Sequence, residues 1–439
     1  MSSQDTFIKT LKNLIQDVRQ DEQRSRETLH LTSYENRMSK LAESFLNSPL
    51  SYRYNFNSDA SDVVKTGTGL MLMGLPGVYE LEAAAKKVAN ELFHSELAFF
   101  RPTSGLSATL CTVNTTSNPG DTIYSIDPDD GGHFATKHLA ERCGRVSRFI
   151  PWDSKNLSID LDAFRKSIKQ HPAQMVLFEH GTPLFNLPVK EVREIVGDET
   201  VIVYDGAHTL GLIAGGQFQD PLREGANMLQ GNTHKTFPGP EKGMIFFRDQ
   251  TLGAKITVSI GAGLISNSHA HHLICLCITM LEMLEFGKAY ASEMIANGAA
   301  LAQSLADEGF NLVNRNGIFT TSHEILIEGD AIGGNYEAAQ LLFAAGFSVN
   351  ARIAFRRNII RLGTEEVTRR GMKKGEMRQI ARLFKRVILD KEPVENVKKD
   401  VIFLNNSFAN IHYSFDKEFG LWKGDDIYDT AQDWRRESN

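Results

Sequence analysis

The sequence has few cysteines, no long apolar run and no large excess of either charge. Its four cysteines, Cys111, Cys143, Cys275 and Cys277, show neither a two-pair zinc spacing nor a Cys-x-x-Cys redox motif. An ordinary transmembrane helix is excluded because no stretch of about eighteen uncharged apolar residues occurs. The 48 basic against 54 acidic residues give a net charge of −6, which argues against nucleic-acid binding or an anionic-membrane surface.

These absences favour a protein of a reducing compartment. Residues 1–26 lack the continuous apolar core of a signal peptide, so we expect a cytoplasmic location. The composition itself is that of folded domains, with 41% hydrophobic and 23% charged residues. The 439 residues are about three times the length of a typical domain, so more than one folded unit is expected.

Hydrophobic spacing predicts two early helices followed by an α/β sheet. Apolar residues recur at helical spacing over Thr6 to Arg26 and again from Pro76 to Leu92. Beyond them, short apolar runs followed by turn residues indicate buried strands joined by helical crossovers. These runs are Leu97–Phe100, Gln174–Phe178, Val201–Tyr204 and Met244–Phe247.

A stretch of small residues, 259–270, predicts a loop between this sheet region and a second, smaller α/β region. We therefore predict four segments: an N-terminal helical segment 1–54, a large domain 55–285, a small domain 286–395 and an appended segment 396–439. His269, His271 and His272 in and after this stretch have no helix-spaced acidic partner, so no metal site is predicted.

Asp205 and Lys235 are the first candidates for chemistry. Asp205 directly follows a predicted strand, and ligands gather at the carboxyl ends of strands in open α/β sheets. Lys235 lies thirty residues later between His234 and Thr236, a setting that suits a Schiff-base lysine paired with an acid for a pyridinium nitrogen. Taken singly, Lys235 also fits a surface charge and Asp205 a helix cap.

Two further motifs strengthen the interpretation. Ser104-Gly105 lies between a predicted strand and a helix, where backbone N–H groups bind phosphate. Gly131-Gly132-His133 supplies an imidazole that could stack on a flat ring, although a loop histidine with a backbone partner is the simpler alternative.

In this order the motifs resemble those of the serine hydroxymethyltransferase family, pyridoxal phosphate enzymes of fold type I. The resemblance implies an aspartate aminotransferase-like α/β fold with a large sheet domain and a smaller C-terminal α/β domain. It also implies pyridoxal 5'-phosphate as cofactor and a homodimer with shared active sites. The matching motifs are Ser33-Tyr-Glu-Asn36, Ser104-Gly105, Asp130-Gly-Gly-His133, Asp205-Gly-Ala-His208, Thr233-His-Lys235 and Arg361-Leu-Gly-Thr364.

The resemblance implies a role for each matched residue of the cofactor site. Lys235 would carry the cofactor as a Schiff base, Asp205 would keep its ring nitrogen protonated, and His133 would stack on the ring and serve catalysis. His208 would hydrogen-bond the phenolate oxygen. The other implied cofactor-binding residues are Ser104, Gly105 and His234.

For the substrate, the resemblance implies that Arg361 binds the amino acid carboxylate, because a guanidinium and a carboxylate form a bidentate pair. Ser33 and Tyr54 would complete the substrate site, and Tyr54 would also take part in catalysis. The chain departs from the family two residues after that tyrosine, where Phe56 stands in place of a glutamate needed for the folate-dependent step.

Other departures lie nearby. Residues 57–62 replace the family's glycine-rich loop, and Leu106 and Glu365 replace a serine and a proline of its motifs. Folate use is therefore in doubt. The alternative is that Phe56 packs at the subunit interface while Glu35 reaches the same place.

The chain is more similar to the L-threonine transaldolases, a folate-independent branch, through motifs that extend to Tyr413-Ser-Phe-Asp416. This similarity implies retro-aldol cleavage of L-threonine and transfer of the glycyl unit to a second aldehyde. Two alternatives stay open: other Cα chemistry, including the serine hydroxymethyltransferase reaction, decarboxylation, racemisation or another carbon–carbon bond formation, and a catalytically silent interaction protein of the same fold.

Overall fold

The computed structural model describes residues 3–56, 63–65 and 69–422. The departure at residues 57–62 and the last part of the appended segment, 423–439, lie outside the described residues. Among the described residues, no helix combines the length and the apolar character that a bilayer crossing requires.

The strands of the described residues are β1 (Leu29–His30), β2 (Val63–Lys65), β3 (Met71–Met73), β4 (Leu97–Phe99), β5 (Thr122–Ser125), β6 (Val146–Phe149), β7 (Trp152–Asp153), β8 (Ser158–Ile159), β9 (Met175–Glu179), β10 (Val201–Asp205), β11 (Met228–Asn232), β12 (Gly243–Phe247), β13 (Glu324–Glu328), β14 (Phe347–Ser348), β15 (Asn350–Ala354) and β16 (Arg357–Gly363).

The helices are α1 (Ser3–Glu27), α2 (Lys40–Glu43), α3 (Pro76–Phe93), α4 (Gly105–Thr116), α5 (Thr136–Arg142), α6 (Leu161–Gln170), α7 (Val189–Val196), α8 (Leu210–Ala214), α9 (Pro221–Glu224), α10 (Gln250–Gly263), α11 (Ala270–Asp307), α12 (Asn335–Ala344), α13 (Glu365–Arg369), α14 (Lys374–Ile388) and α15 (Val394–Asn406). Short 3₁₀ helices span Pro49–Tyr52, Pro128–Asp130 and Asp330–Ile332.

A seven-stranded sheet in the order β4-β12-β11-β10-β9-β5-β6 forms the larger lobe. Its neighbouring strands run parallel except at β12, which is antiparallel to both of its partners. Strands β9 and β12 are buried along their whole length, since helices cover both faces, and this explains their continuous apolar runs. The four predicted strands are all present, so the predicted α/β architecture is found.

The smaller lobe is built on a three-stranded antiparallel sheet, β13-β16-β15, against which α11 and α12 pack, while α14 and α15 pack on α12. The N-terminal strand β1 joins it by pairing in parallel with β14. Leu29 and Leu31 are therefore buried in the core of this lobe, although the sequence placed them in a separate N-terminal segment. The predicted division into four segments remains a proposal.

The predicted loop over 259–270 is wrong in its first half, because α10 continues to Gly263 and only residues 264–269 form the connection. Asp249 caps this helix by accepting the N–H of Leu252, and Ile256 and Ile260 are buried one turn apart. A helical glycine costs about 1 kcal/mol, less than burying two isoleucine side chains provides. The next helix, α11, has 38 residues and packs against both lobes, so the predicted boundary at 285/286 falls inside it.

The strands β15 and β16 form a hairpin, residues 350–363, whose turn is unusual. The two turn residues, Phe355 and Arg356, have positive φ angles of 52° and 59°, which glycine or asparagine adopts more easily. Arg356 compensates by binding the loop before His133: its N–H donates to the Asp129 carbonyl at 2.8 Å, and its guanidinium donates to both carboxylate oxygens of Asp130. The hairpin is thereby fastened to the larger lobe.

Candidate active site

Polar side chains meet where three neighbouring strands of the large sheet end. Asp205 on β10 is in register with Glu179 on β9 and with Gln230 on β11. All three are buried. Because parallel strands bring their carboxyl ends to one edge, these side chains form a row at the edge of the sheet where ligands bind in such folds.

The Asp205 carboxylate is held by two donors. Its Oδ1 accepts the Ala207 N–H at 2.8 Å and its Oδ2 accepts the Gln230 side-chain N–H at 3.0 Å. Gln230 is oriented in turn by the hydroxyls of Thr109 and Thr112 on α4. Burial raises the pKa of Asp205, and these hydrogen bonds and the Lys235 charge oppose the rise. The carboxylate is therefore fixed in direction, which a simple helix cap does not require.

Lys235 lies in the loop after β11, and its side chain is buried. Burial lowers the pKa of its amine to about 8; Arg361 adds to this effect and Asp205 opposes it. A fraction of the amine is therefore neutral near pH 7. Its Nζ lies 3.1 Å from Nε2 of His208.

His208 links Lys235 to a buried carboxyl group. Its Nδ1 lies 3.0 Å from Oε1 of Glu324, the first residue of β13. Burial raises the pKa of Glu324 to about 7. When Glu324 is ionised, it accepts a hydrogen bond from the Nδ1–H group of His208. The other ring nitrogen, Nε2, then carries no proton and is the acceptor that faces Lys235.

Ser104 and Gly105 begin helix α4 as predicted. Ser104 is the N-cap: its hydroxyl accepts the Ser107 N–H at 3.1 Å, and the Ser107 hydroxyl accepts the Ser104 N–H at 2.9 Å. The Gly105 N–H donates to the side-chain oxygen of Asn232. A phosphate would take this N–H only after Asn232 turns away.

His133 lies across the site from Asp205 and lines the same cavity. Its Nδ1 accepts the Ala135 N–H at 3.3 Å and lies 3.7 Å from a Glu179 oxygen. Burial, Lys235 and two arginines lower the pKa of His133 to about 4. The imidazole is thus neutral near pH 7, which suits stacking on an aromatic ring.

Arg361 reaches the site from β16. One of its Nη atoms donates to the Gly181 carbonyl, and the other donates to Oδ1 of Asn350 at 3.0 Å. Its guanidinium lies over the ring of Tyr34 at 5.3 Å and 3.9 Å from Glu324. Arg361 is buried and fixed at the wall of the site.

These residues surround two connected spaces. A small cavity of about 30 Å³ lies between α4 and the edge of the sheet, and a cleft of about 620 Å³ adjoins it through shared lining residues. The shared lining residues are His133, Gly181, His208 and Lys235.

The residues present fit pyridoxal phosphate. Lys235 provides a buried amine, Asp205 a fixed carboxylate for a ring nitrogen, and His133 a neutral flat ring. Glu179 Oε2 and His234 Nδ1 are buried atoms without a hydrogen-bond partner among the described residues, as expected of groups that face a polar ligand. The start of α4 would offer the Gly105 N–H to a phosphate once Asn232 turns away.

Two residues predicted to bind the substrate, Tyr54 and Ser33, do not line the cleft of their own chain. Tyr54 does not reach the site of its own chain: it is 61% exposed and stacks on Phe56 with ring centroids 5.4 Å apart. The reason is that Asn55 between them is hydrogen-bonded to Asn267 and Ser268, which holds this segment against the connection before α11. Ser33 is buried behind the cleft near Glu324 rather than lining it, while His234 lines the cleft as predicted.

The sequence interpretation missed several site residues. Glu179 carried a usable signal, because it ends a predicted strand exactly as Asp205 does. Glu324 and Arg352 carried none, since strands β13 and β15 come from the other lobe and only the folded chain brings them to Lys235. The residues missed are Glu179, Gln230, Asn232, Glu324 and Arg352.

The chain is similar to known proteins over most of its length. The family model for serine hydroxymethyltransferase matches residues 8–384. A serine hydroxymethyltransferase from Methanocella arvoryzae is 34% identical over 417 residues, covering 92% of this chain and 96% of the relative. A fluorothreonine transaldolase from Streptantibioticus cattleyicolor is 35% identical over 403 residues, covering 91% of this chain but 63% of that longer protein.

A solved structure is also similar. The crystal structure of L-threonine transaldolase from Pseudomonas fluorescens, in its internal aldimine state, matches with a TM-score of 0.85 and 27% sequence identity. The match covers 94% of this chain and 96% of that one. The predicted fold type I architecture is confirmed by this similarity and by the family match.

Proposed function

The chain belongs to the serine hydroxymethyltransferase family and is a pyridoxal-phosphate-dependent enzyme of the transferase or aldolase kind, and within this family we propose that it is an L-threonine transaldolase. It would cleave the Cα–Cβ bond of L-threonine, release acetaldehyde, and join the glycyl Cα to a second aldehyde. The product would be a β-hydroxy-α-amino acid, and no folate would take part.

The observation that carries the proposal is the segment that ends at residue 56. Where the family has a glutamate for the folate-dependent step, this chain has Phe56, and its ring packs on Tyr54. The nearby carboxylate that could replace that glutamate, Glu35, instead lies 3.2 Å from Nδ1 of His30. Because a phenyl ring neither donates nor accepts a proton, Phe56 cannot act as a proton relay to a folate.

The chain's own residues would hold the cofactor and the donor in both halves of the reaction. When bound, pyridoxal phosphate supplies the electron sink for the pair released at the substrate Cα. Asp205, fixed by Gln230, would hold a proton at the ring nitrogen. Arg361 would hold the substrate carboxylate and so fix the bond to be broken. His208 Nε2 would accept a hydrogen bond from the Lys235 amine, whose Nζ lies 3.1 Å away, and so orient it.

Its assembly and location are proposed as well. We infer a homodimer with shared active sites and a cytoplasmic enzyme. Support for a dimer comes from α1, on which Phe7, Leu11, Leu14 and Val18 are all exposed. The exposed Tyr54 would reach the site of the second subunit. Gel filtration with multi-angle scattering tests the dimer.

The serine hydroxymethyltransferase reaction itself is the second candidate, because several relatives carry that name. The test is a pair of assays on the purified holoenzyme, each with and without tetrahydrofolate. One follows cleavage of L-serine, and the other follows products of L-threonine with an aromatic aldehyde by mass spectrometry. We expect a new β-hydroxy-α-amino acid in the second assay under both conditions. Folate-dependent serine cleavage without aldehyde exchange would contradict the proposal.

A further inference from the structure

Two guanidinium groups face the same cleft. Arg352 on β15 and Arg361 on β16 both line the space of about 620 Å³ that contains Lys235. A Cβ atom built on Gly181 would lie 3.3 Å from Nη1 of Arg352 and 4.0 Å from Nη1 of Arg361. The two arginines therefore flank one glycine at the wall of the site.

The two arginines differ in how they are satisfied. Arg361 is buried, donates to a carbonyl and to Asn350, and lies 3.9 Å from Glu324. Arg352 is half-buried and donates to two carbonyl oxygens, that of Ile353 at 3.1 Å and that of Gly132 at 3.5 Å. Within the part of the chain that the structure describes, no carboxylate lies within 4.0 Å of Arg352.

This arrangement is electrostatically costly without an anion. Burial and the neighbouring Arg361 charge lower the pKa of Arg352 to about 10, since two like charges in a partly dry cleft repel each other. The same two charges oppose the rise that burial causes in the pKa of Tyr34. The hairpin turn that places Arg352 has positive φ angles at both turn residues and is held by Arg356 on Asp130. Glu324 opposes the lowering of the Arg352 pKa from a longer distance, so the fold keeps at this position a cation without a directly paired carboxylate among the described residues.

Arg352 and Arg361 point their guanidinium groups at different backbone segments. Its Nη2 lies against the Gly132 carbonyl, next to His133, whereas Arg361 donates to Asn350 within the hairpin. L-Threonine has one carboxylate, which the proposed function assigns to Arg361. The cofactor phosphate is assigned to the start of α4, so a further anion beside Arg352 would come from the second substrate.

We propose that Arg352 forms an anion subsite, and that the acceptor aldehyde carries a carboxylate or a phosphate group that pairs with it. This inference rests on the proposed function for the identity of the acceptor, but the subsite itself is a binding property. A guanidinium pairs with either anion through two parallel hydrogen bonds, so it both attracts the acceptor and fixes its orientation.

The kinetic test uses pairs of aldehydes that differ in one anionic group, with L-threonine as donor and the holoenzyme as catalyst. The pairs are 4-carboxybenzaldehyde with 4-methylbenzaldehyde, and glycolaldehyde phosphate with glycolaldehyde. We expect kcat/KM at least about tenfold higher for the anionic member of one pair, and which pair responds tells carboxylate from phosphate. Arg352→Gln should remove this preference and leave the KM for L-threonine within about twofold. Arg352→Lys should keep part of it.

The binding test does not depend on turnover. 4-Carboxybenzyl alcohol or glycerol 3-phosphate, which lack the aldehyde, is titrated into the holoenzyme by calorimetry. Wild type and the control Arg357→Gln should bind one of these probes, and Arg352→Gln should lose about tenfold or more in affinity. Arg357 is a suitable control because it lies on the neighbouring strand and pairs with Glu328 away from the cleft. Thermal denaturation confirms that each variant is folded.

The outcomes separate the two proposals. Probe binding that depends on Arg352 in an enzyme without aldehyde exchange would support the subsite and overturn the transaldolase function. Exchange with neutral and anionic aldehydes at equal rates, and probe binding unchanged in Arg352→Gln, would overturn the subsite and leave the function standing. A KM for L-threonine that rises tenfold or more in Arg352→Gln would assign Arg352 to the donor carboxylate and also overturn the subsite.

Discussion

The site has two walls that are built in different ways. The sheet side lies at the ends of β9, β10 and β11, and the hairpin side is formed by β13 and the hairpin of β15 and β16. On the sheet side, Asp205 is held by Gln230 and by the Ala207 N–H, and Gln230 is held by two threonines. On the hairpin side, Arg352 has no carboxylate partner among the described residues, and the buried Glu324 has one oxygen without a hydrogen-bond partner. Asp205 on the sheet side is thus fixed by the protein, although Glu179 Oε2 beside it has no hydrogen-bond partner, whereas Arg352 on the hairpin side has no carboxylate within 4.0 Å among the described residues.

This difference indicates a division of labour. A cofactor that stays bound needs partners fixed in advance, because preorganised dipoles cost no reorganisation during reaction. Substrates enter and leave, so the wall that meets them keeps charges that a ligand completes. If the comparison holds, substitutions on the sheet side should affect every substrate alike, and those on the hairpin side should affect particular steps or substrates.

The largest effect is expected at Lys235. Lys235→Ala should remove covalent attachment of the cofactor and lower turnover below detection, since its buried amine is the one beside His208. Mass spectrometry after borohydride reduction should place the cofactor on Lys235 in wild type. The matched control is Lys242→Met, because Lys242 is also buried with its pKa lowered to about 8 but contacts only backbone carbonyls. Cofactor found on Lys242 would disprove the assignment.

Asp205→Asn should come next, with kcat lower by at least about a hundredfold, or about 3 kcal/mol of barrier, for every donor and acceptor. An amide cannot keep a ring nitrogen protonated, so the loss should appear in rate more than in binding. Asp160→Asn is the control, because Asp160 is a plain helix cap that accepts the Ala163 N–H at 2.9 Å. Equal activity of the two variants would show that Asp205 only caps a helix and takes no part in catalysis.

A smaller and pH-dependent effect is expected for Glu324→Gln. The pKa of Glu324 is about 7, so above pH 7 its ionised form orients His208, whereas below pH 6 it is mostly protonated. The variant should lose about tenfold in kcat at pH 8 and less than threefold at pH 6. Glu328→Gln, on the same strand and paired with Arg357, should leave the pH profile unchanged. A uniform loss across pH would show that Glu324 only packs.

The same carboxyl group gives a stability prediction of opposite sign. Its pKa is raised in the folded protein from an ordinary value of 4.5, so the folded state binds the proton more tightly than the unfolded chain. Wild type therefore loses stability as pH rises from about 4.5 to 7. Glu324→Gln should unfold at a higher temperature than wild type at pH 8 by differential scanning calorimetry, even though it is less active. A lower unfolding temperature would contradict the raised pKa.

The sequence predicted the sheet side better than the hairpin side for a physical reason. Asp205 ends a buried strand, Lys235 lies three residues after one and Ser104 five residues after another, and the alternation of strands and helices brings such positions together at one edge. The predicted strands and the helix from Pro76 to Phe93 were found for the same reason, since their apolar periodicity reflects burial.

The hairpin side depends on contacts between residues far apart in the chain. Glu324 meets His208 across 116 residues, and Arg352 meets Gly132 across 220. Nothing local in these segments marks a site, because a charged residue in a short strand usually faces solvent. Local pattern also cannot show where Tyr54 acts, because we propose that it reaches the site of the second subunit.

The central claim is that the glycyl unit of L-threonine passes to an aldehyde without folate. The direct measurement supplies L-threonine labelled with ¹³C at Cα and an aromatic aldehyde to the holoenzyme, with and without tetrahydrofolate, and locates the label by NMR. We predict that the label appears at Cα of a new β-hydroxy-α-amino acid to the same extent under both conditions. Label found only in glycine or in serine, with turnover that requires tetrahydrofolate, would contradict the account.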